Sequence, residues 1–213
     1  MTKVKICGLR RQEDIEAVNR LRPEYIGFVF YEKSRRNVTE EEAMALREAL
    51  DPDIISVGVF VDAEPELILR LMRKGIISIA QLHGHETEEY IEKLKKEMEI
   101  GFGEPEHERG FKVMKAFLVK TEEDLAAARE TDADYILFDN GLGSGESFDW
   151  EILRDFPKPY FLAGGLTDAN VSDAIQRLSP YAVDISSGVE TDGFKDPEKM
   201  RSFIDAVRRK NYV

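Results

Sequence analysis

Short apolar runs, rich in β-branched residues, alternate along the chain with longer charged segments in which apolar residues recur at helical spacing. Runs that are apolar at nearly every position are typical of strands covered on both faces, as in a parallel sheet. Eight such runs predict eight strands, at residues 4–7, 25–30, 54–60, 77–82, 111–117, 135–138, 160–163 and 182–186.

The segments between these runs carry helix start signals. Thr39 followed by Glu42 predicts a capping box, in which a hydroxyl and a carboxylate each satisfy a free amide at the helix start. Thr121 with the acidic residues after it, and Pro65 at a first-turn position, indicate two further starts. The sixth connection is the least helical, because residues 140–150, NGLGSGESFDW, resemble a loop.

The order of these elements predicts the fold. Eight strand-then-helix units in 213 residues are typical of a small α/β protein of the (β/α)8 TIM barrel type, a single domain over residues 1–213. A doubly wound open sheet is the alternative, but it usually has fewer strands and often a glycine-rich turn after the first one. The segment CGLRRQ has no such turn.

Composition and net charge limit the kinds of molecule that the protein is expected to bind. The formal net charge of −12 and the pI of about 4.9 disfavour binding to nucleic acid, whose phosphates a surface this acidic repels. No run approaches the roughly 20 apolar residues of a membrane span, and the start MTKVKICG does not resemble a secretory signal. With a single cysteine and no zinc-site spacing, we expect a cytoplasmic protein without a metal or a membrane partner.

Two residues at strand ends are candidates for acid–base chemistry, since barrel active sites form at the carboxyl ends of the strands. Cys7 ends the first run, and its usual pKa of about 8.5 requires a local stabilisation of the thiolate if it is to act as a base. Asp139 ends the sixth run, where partial desolvation favours its protonated form as a general acid. The alternatives are an inert buried thiol and a turn or capping aspartate.

Further polar residues follow the second and fourth runs. Arg36 suits bidentate binding of a carboxylate, although Lys33 or Arg35 in the same basic run can equally be the solvated members. Gln81 and His83 are either a proton-transfer pair or a hydrogen-bonded strand end that orders the site.

Glycine follows the seventh and eighth runs, at Gly164-Gly165 and at Ser187-Gly188. Barrel enzymes often hold a phosphate at this position, where glycine lets backbone amides approach the anion. Backbone amides also explain how so acidic a chain can hold an anion. Either turn alone is weak evidence, but the two together favour a phosphate site over two ordinary tight turns.

With these residues assembled, the chain resembles the phosphoribosylanthranilate isomerases, which are (β/α)8 barrels of tryptophan biosynthesis. The matching segments appear in order over nearly the whole chain: KICGL, GFVFYEKSRRNV, VGVFV, QLHG, LFDN, GSGESFDW, LAGGL and AVDISSGVE. The resemblance implies an Amadori rearrangement without a cofactor, in a monomer or homodimer that acts on a small phosphorylated substrate.

The same resemblance implies roles for individual residues. Cys7 matches the general base, Asp139 the general acid and Arg36 the residue that holds the anthranilate carboxylate. Substrate contacts are expected from Gln81, His83 and Asp184. The phosphate is expected at Gly143, Ser144, Gly145, Gly164, Gly165, Ser187 and Gly188.

Two positions depart from the family pattern: Glu32 stands where a proline is frequent, and Glu146 where a lysine is frequent. Glu146 increases the dependence of phosphate binding on backbone amides. The alternatives are an isomerase that also processes the related histidine-pathway aminoaldose, a non-catalytic barrel that binds phosphorylated metabolites, and another ribose-phosphate isomerase or epimerase. Cys7 argues against the first, since those enzymes usually have an aspartate at that strand end.

Overall fold

Eight parallel strands close into a barrel in the computed structural model, which describes residues 1–102, 110–119, 121–139 and 150–210. Each strand pairs with the next along the chain, and β8 pairs with β1. The strands are β1 (Lys3–Cys7), β2 (Tyr25–Phe30), β3 (Ile55–Phe60), β4 (Ile79–Leu82), β5 (Lys112–Leu118), β6 (Tyr135–Asp139), β7 (Tyr160–Leu162) and β8 (Ala182–Ile185). The closed barrel confirms the predicted fold, and the doubly wound open sheet was the wrong alternative.

Seven α-helices occur among the described residues, each between or after barrel strands. They are α1 (Gln12–Leu21), α2 (Glu40–Ala49), α3 (Pro65–Arg73), α4 (Glu88–Phe102), α5 (Glu122–Glu130), α6 (Val171–Leu178) and α7 (Pro197–Lys210). The described part of the sixth connection holds a 3-10 turn, Trp150–Leu153. A hairpin of two short strands, β9 (Glu190–Thr191) and β10 (Phe194–Lys195), follows β8. None of the described helices combines the length and the apolar character that a membrane crossing requires.

The predicted helix starts are confirmed by hydrogen bonds. The Thr39 amide donates to Glu42 Oε2 at 2.8 Å, and the Glu42 amide donates to Thr39 Oγ1 at 3.2 Å. The Thr121 amide donates to the Asp124 carboxylate at 2.8 Å. Pro65 is the first residue of α3, where its missing N–H costs nothing.

Several strand boundaries differ from prediction by one or two residues. The third and fourth strands begin at Ile55 and Ile79, although Ile54 and Ile77 before them are buried. An apolar run therefore marks burial rather than ladder pairing, and pattern alone cannot separate the two. The eighth strand ends at Ile185, so that Ser186 already belongs to the following loop.

Apolar residues fill two regions, one between the sheet and the helices and one inside the barrel. The interior cluster contains Tyr25, Val57, Ile79, Met114, Ala116, Leu137, Phe161, Ala163 and Ala182. Towards the carboxyl ends of the strands the buried side chains become polar, with Lys5, Gln81 and Asp184 all less than one-tenth exposed. This polar layer forms the floor of the site described next.

Candidate active site

A cavity of about 660 Å3 opens at the carboxyl ends of the barrel strands. Ten residues predicted for the site line it: Cys7, Arg36, Gln81, His83, Asp139, Gly164, Gly165, Asp184, Ser187 and Gly188. The remaining three, Gly143, Ser144 and Gly145, lie outside the described residues. The fold thus brings together residues that are up to 181 positions apart in the chain, from Cys7 to Gly188.

Cys7 ends β1 and lies against Val29 and Val59 of the next two strands. Its partner across the ladder is Gly27, and a Cβ at that position would come within 2.8 Å of the Cys7 sulfur. The absence of a side chain at Gly27 therefore makes the space that the thiol occupies. Burial raises the pKa of Cys7, while the charges of Lys5 and Lys195 act in the opposite direction.

Asp139 ends β6 and is linked to β4 through a histidine. His83 Nε2 lies 3.4 Å from Asp139 Oδ2, and Gln81 Nε2 lies 3.0 Å from His83 Nδ1. An amide nitrogen can only donate, so in this arrangement His83 Nδ1 accepts and its proton sits on Nε2, facing Asp139. Gln81 and His83 thus form a hydrogen-bonded chain that ends at the Asp139 carboxylate, and both predicted alternatives for this pair stay open.

Arg36 is held by a carboxylate that the sequence prediction did not include. Its Nε and Nη2 donate to the two oxygens of Glu190 at 2.6 and 2.9 Å, a bidentate pair. The buried Lys195 donates to the same carboxylate at 2.8 Å. Burial opposes the charge of Glu190, but the hydrogen bonds from Arg36 and Lys195 outweigh it, so that the pKa of Glu190 is lowered.

The two glycine loops lie side by side at one edge of the cavity. Gly164 and Gly165 have φ angles of 81° and 66°, in the left-handed region that favours glycine. A Cβ at Gly188 would come within 2.5 Å of the Leu166 carbonyl oxygen, so the second loop approaches the first through a position that only glycine tolerates. Within the described part of the chain, no hydrogen bond uses the amides of Gly164 and Gly165. Such a pair of amides can donate to an anion.

Three buried charged residues near the cavity were missed by the sequence prediction. Lys5 is fully buried and donates to Asp184 Oδ2 at 2.8 Å, and Glu190 and Lys195 form the group around Arg36. Lys5 had a detectable signal, because it stands two residues before Cys7 on β1 and so shares its face of the strand. Glu190 and Lys195 had none, since they lie in a short charged segment that resembles a solvated loop.

A closed parallel barrel with a cavity at the carboxyl ends of its strands, edged by glycine loops after β7 and β8, defines the class of (β/α)8-barrel enzymes. The family model described as N-(5'phosphoribosyl)anthranilate (PRA) isomerase matches residues 4–206. The chain belongs to this family.

Individual relatives agree with the family match over almost the full length. The N-(5'-phosphoribosyl)anthranilate isomerase of Thermoanaerobacter sp. (strain X514) is 44% identical over 215 residues, covering 98% of each chain. The crystal structure of phosphoribosyl anthranilate isomerase from Thermotoga maritima is 36% identical with a TM-score of 0.84, covering 98% of this chain and 100% of that one. A phosphoribosyl anthranilate isomerase solved in complex with reduced 1-(o-carboxyphenylamino)-1-deoxyribulose 5-phosphate is 35% identical with a TM-score of 0.82, at the same coverage.

Proposed function

We propose that the chain converts N-(5'-phosphoribosyl)anthranilate to 1-(2-carboxyphenylamino)-1-deoxyribulose 5-phosphate, the Amadori step of tryptophan biosynthesis. Family membership supports this reaction, as does the related isomerase that was solved with a reduced form of the product. The observation that carries the proposal is that Cys7 from β1 and Asp139 from β6 line one cavity. The reaction needs a base and an acid on the same sugar, and these strands are not neighbours in the barrel.

The chemistry begins at Asp139, whose protonated carboxyl donates a proton to the furanose ring oxygen. The C–O bond at the anomeric carbon then breaks, and the anthranilate nitrogen supplies the electron pair that forms an iminium ion. His83, held by Gln81, orients the Asp139 carboxyl towards the cavity. General acid catalysis of this kind typically contributes about 10²–10⁴-fold to the rate.

Cys7 acts next, as the base that removes the proton from C2 of the ribose. The iminium cation acidifies that C–H bond, so that a thiolate suffices although burial raises the pKa of Cys7. The electrons of the C–H bond form the C1–C2 double bond of an enolamine and neutralise the iminium. Tautomerisation of the enolamine to the ketone, with a proton returned to C1, completes the isomerisation.

Arg36 and the two glycine loops hold the two anionic ends of the substrate. Arg36 uses Nε and Nη2 for Glu190, which leaves Nη1 for the anthranilate carboxylate. The amides of Gly164 and Gly165, together with the loop at Ser187 and Gly188, bind the phosphate through the backbone.

Two lining side chains are suited to the ribose hydroxyls. Gln81 Oε1 and Asp184 Oδ1 are buried and, among the described residues, have no hydrogen-bond partner. An unpartnered buried acceptor costs about 1–3 kcal/mol, which a donating hydroxyl recovers. A cofactor-free reaction, a cytoplasmic location and a monomeric or homodimeric state stay predictions from the sequence.

The test is a fluorescence assay that follows consumption of freshly prepared phosphoribosylanthranilate, run in parallel with the histidine-pathway aminoaldose. Cys7→Ala and Asp139→Asn are each expected to lower kcat by at least about 100-fold, because each removes one proton-transfer group. Binding of the reduced product, measured by calorimetry, is expected to change little. The control is His85→Ala, at a side chain that is 96% exposed.

Near-wild-type turnover in both variants would remove Cys7 and Asp139 from the mechanism and favour a metabolite-binding barrel. Equal turnover of the two substrates by the wild type would favour the bifunctional alternative.

A further inference from the structure

Lys5 is a fully buried lysine in the barrel interior, two residues from the candidate base. Strand periodicity places Lys5 and Cys7 on the same face of β1. In the ladder, Lys5 lies opposite Asp184 of β8, and its Nζ donates to Asp184 Oδ2 at 2.8 Å. Asp184 itself lines the active-site cavity. The ion pair therefore reaches the cavity through Asp184, while Lys5 lies buried behind the lining, two strand positions from the thiol.

A buried ion pair of this kind needs a reason other than stability. Removing two charges from water costs several kcal/mol per ion, and apolar residues of similar volume are often as stabilising. Lys5 also leaves one oxygen of its partner unsatisfied, since Asp184 Oδ1 has no hydrogen-bond partner among the described residues. That oxygen is the acceptor assigned above to a ribose hydroxyl, whereas the charge of Lys5 has no such role and acts on its neighbours.

The neighbour that Lys5 affects is Cys7. Burial raises the pKa of Cys7, the Lys5 charge is the largest influence that lowers it, and Asp184 raises it. Lys195, from β10, also favours the thiolate, but its own carboxylate partner Glu190 lies at 2.8 Å and reduces its effect. Burial works against the charge of Lys5 itself, but the charges and hydrogen bonds of Asp184 and Cys7 together outweigh that effect and raise the pKa of Lys5. Lys5 therefore keeps its charge.

The other ionisable groups of the cavity lie on different strands. Arg36, from the loop after β2, shares the Glu190 carboxylate with Lys195 and Arg35. His83 of the β4 loop and Asp139 of β6 interact with each other. On β1 itself, Lys5 is the buried cation, two positions from Cys7, whereas Lys3 is four positions away and donates to the Tyr181 hydroxyl.

We propose that Lys5 is a positioning residue for this reaction: held by Asp184, its ammonium group stabilises the deprotonated Cys7 sulfur that takes the substrate proton. The inference rests on the proposed function for its catalytic meaning. Its physical content, a charge that sets the thiolate population of Cys7, is independent of any substrate. Before the iminium forms, the ammonium favours transfer of the thiol proton to solvent water, which leaves the thiolate as the base. Asp184 opposes the thiolate, so that the sulfur can still accept the substrate proton.

The experiment is alkylation by iodoacetamide as a function of pH, which reports on Cys7 alone because the chain contains one cysteine. Lys5→Met is expected to slow alkylation at neutral pH by about tenfold, since a nearby opposite charge changes the thiolate population by that order. In turnover, Lys5→Met is expected to lower kcat/KM at neutral pH and to recover part of it at alkaline pH.

A matched control is available in the same barrel. Lys115 on β5 is also buried and donates to a buried carboxylate, Glu86, at 2.8 Å. Lys115→Met removes an equivalent ion pair and is expected to leave the alkylation profile unchanged. If Lys5→Met does not fold, Lys5→Gln provides the test, because it keeps a donor for Asp184 without the charge.

The outcomes separate the two hypotheses. Unchanged alkylation in the Lys5 variant or an equal effect of Lys115→Met would each overturn the role of Lys5. If the wild type fails to consume phosphoribosylanthranilate while Lys5→Met, and not Lys115→Met, slows alkylation, the proposed function is contradicted and the charge effect stands.

Discussion

Gly27 illustrates how one missing side chain can determine the position of a reactive group. It is the ladder partner of Cys7, and it sits in the middle of an otherwise bulky strand, YIGFVF. A Cβ there would lie 2.8 Å from the Cys7 sulfur and 3.2 Å from the Cys7 Cα. The second contact involves backbone, which cannot move aside as a flexible side chain can. The thiol therefore keeps its place in the cavity because the neighbouring strand presents no side chain.

Gly27→Ala is accordingly expected to displace Cys7 and lower kcat by at least about tenfold, with a destabilisation of about 1–3 kcal/mol from overpacking. The measurements are steady-state kinetics and denaturant unfolding. Gly101→Ala is the control, because a Cβ at Gly101 meets its nearest atom at 3.7 Å, an ordinary contact, in α4. Unaltered kcat in Gly27→Ala would show that the sulfur position is set by other contacts.

At the scale of elements, the β9–β10 hairpin explains how the Arg36 site is assembled. Arg10 and Arg11, just after β1, donate to the backbone carbonyls of Gly193 and Lys195, and their guanidinium groups lie 4.5 and 4.6 Å from the Phe194 ring centre. These contacts hold the hairpin against the start of the chain. Glu190 lies in the first strand of the hairpin, and its carboxylate pairs with Arg36, which lies in the loop after β2.

Glu190→Gln tests this assembly through its pH dependence. The pKa of Glu190 is lowered in the folded protein, so its ionised form stabilises the fold above the unfolded value of about 4.3. We expect the variant to be about 2 kcal/mol less stable than the wild type at neutral pH. That difference should shrink as pH falls through the folded pKa, where wild-type Glu190 also becomes neutral.

Unfolding curves followed by the fluorescence of Trp150, the single tryptophan, measure this difference. Glu16→Gln, which removes the same charge at an exposed site, is expected to show no comparable loss. A Glu190→Gln stability gap that stays constant down to strongly acidic pH would contradict the charged interaction.

At the scale of the whole molecule, the two ends of the barrel have different roles. The end opposite the cavity is closed by Tyr25, Tyr135, Tyr181 and Phe161, whose ring centres lie 5.2–5.9 Å apart in neighbouring pairs. The Tyr181 hydroxyl accepts from Lys3 Nζ at 2.6 Å and shares a 3.1 Å hydrogen bond with the Tyr25 hydroxyl. In barrels of this type, that end serves stability and the carboxyl end serves chemistry.

Tyr181→Phe is therefore expected to cost about 1–2 kcal/mol of unfolding free energy, for the hydrogen bonds it removes, while kcat stays at the wild-type value. Thermal or denaturant unfolding and steady-state assays give the two numbers. Tyr160→Phe is the comparison, since its hydroxyl has only a long, 3.5 Å contact to the Leu178 carbonyl oxygen, and it should cost less. A fall in kcat for Tyr181→Phe would show that the two ends are coupled.

The barrel and most of the candidate site could be predicted from local patterns. Eight apolar runs, the Thr39 capping box and Pro65 at a helix start depend on residues close together in the chain, and all are present in the structure. The site residues at strand ends could be named because parallel strands in a barrel bring their carboxyl ends to one side. The strand boundaries near Ile54 and Ile77 could not be predicted, because a buried residue outside the sheet and a residue paired in the sheet give the same apolar pattern.

Only the tertiary structure determines which charged side chains form ion pairs. Lys5 and Asp184 are 179 residues apart, and Arg36 and Glu190 are 154 apart. No periodicity or spacing connects such pairs, because their contact depends on barrel closure and on the fold of one short hairpin. The local sequence determines the strands and helices and the strand ends at which the candidate site residues lie. Ion pairing depends on the three-dimensional distances between charged groups, since a charge acts on whatever lies near it in space.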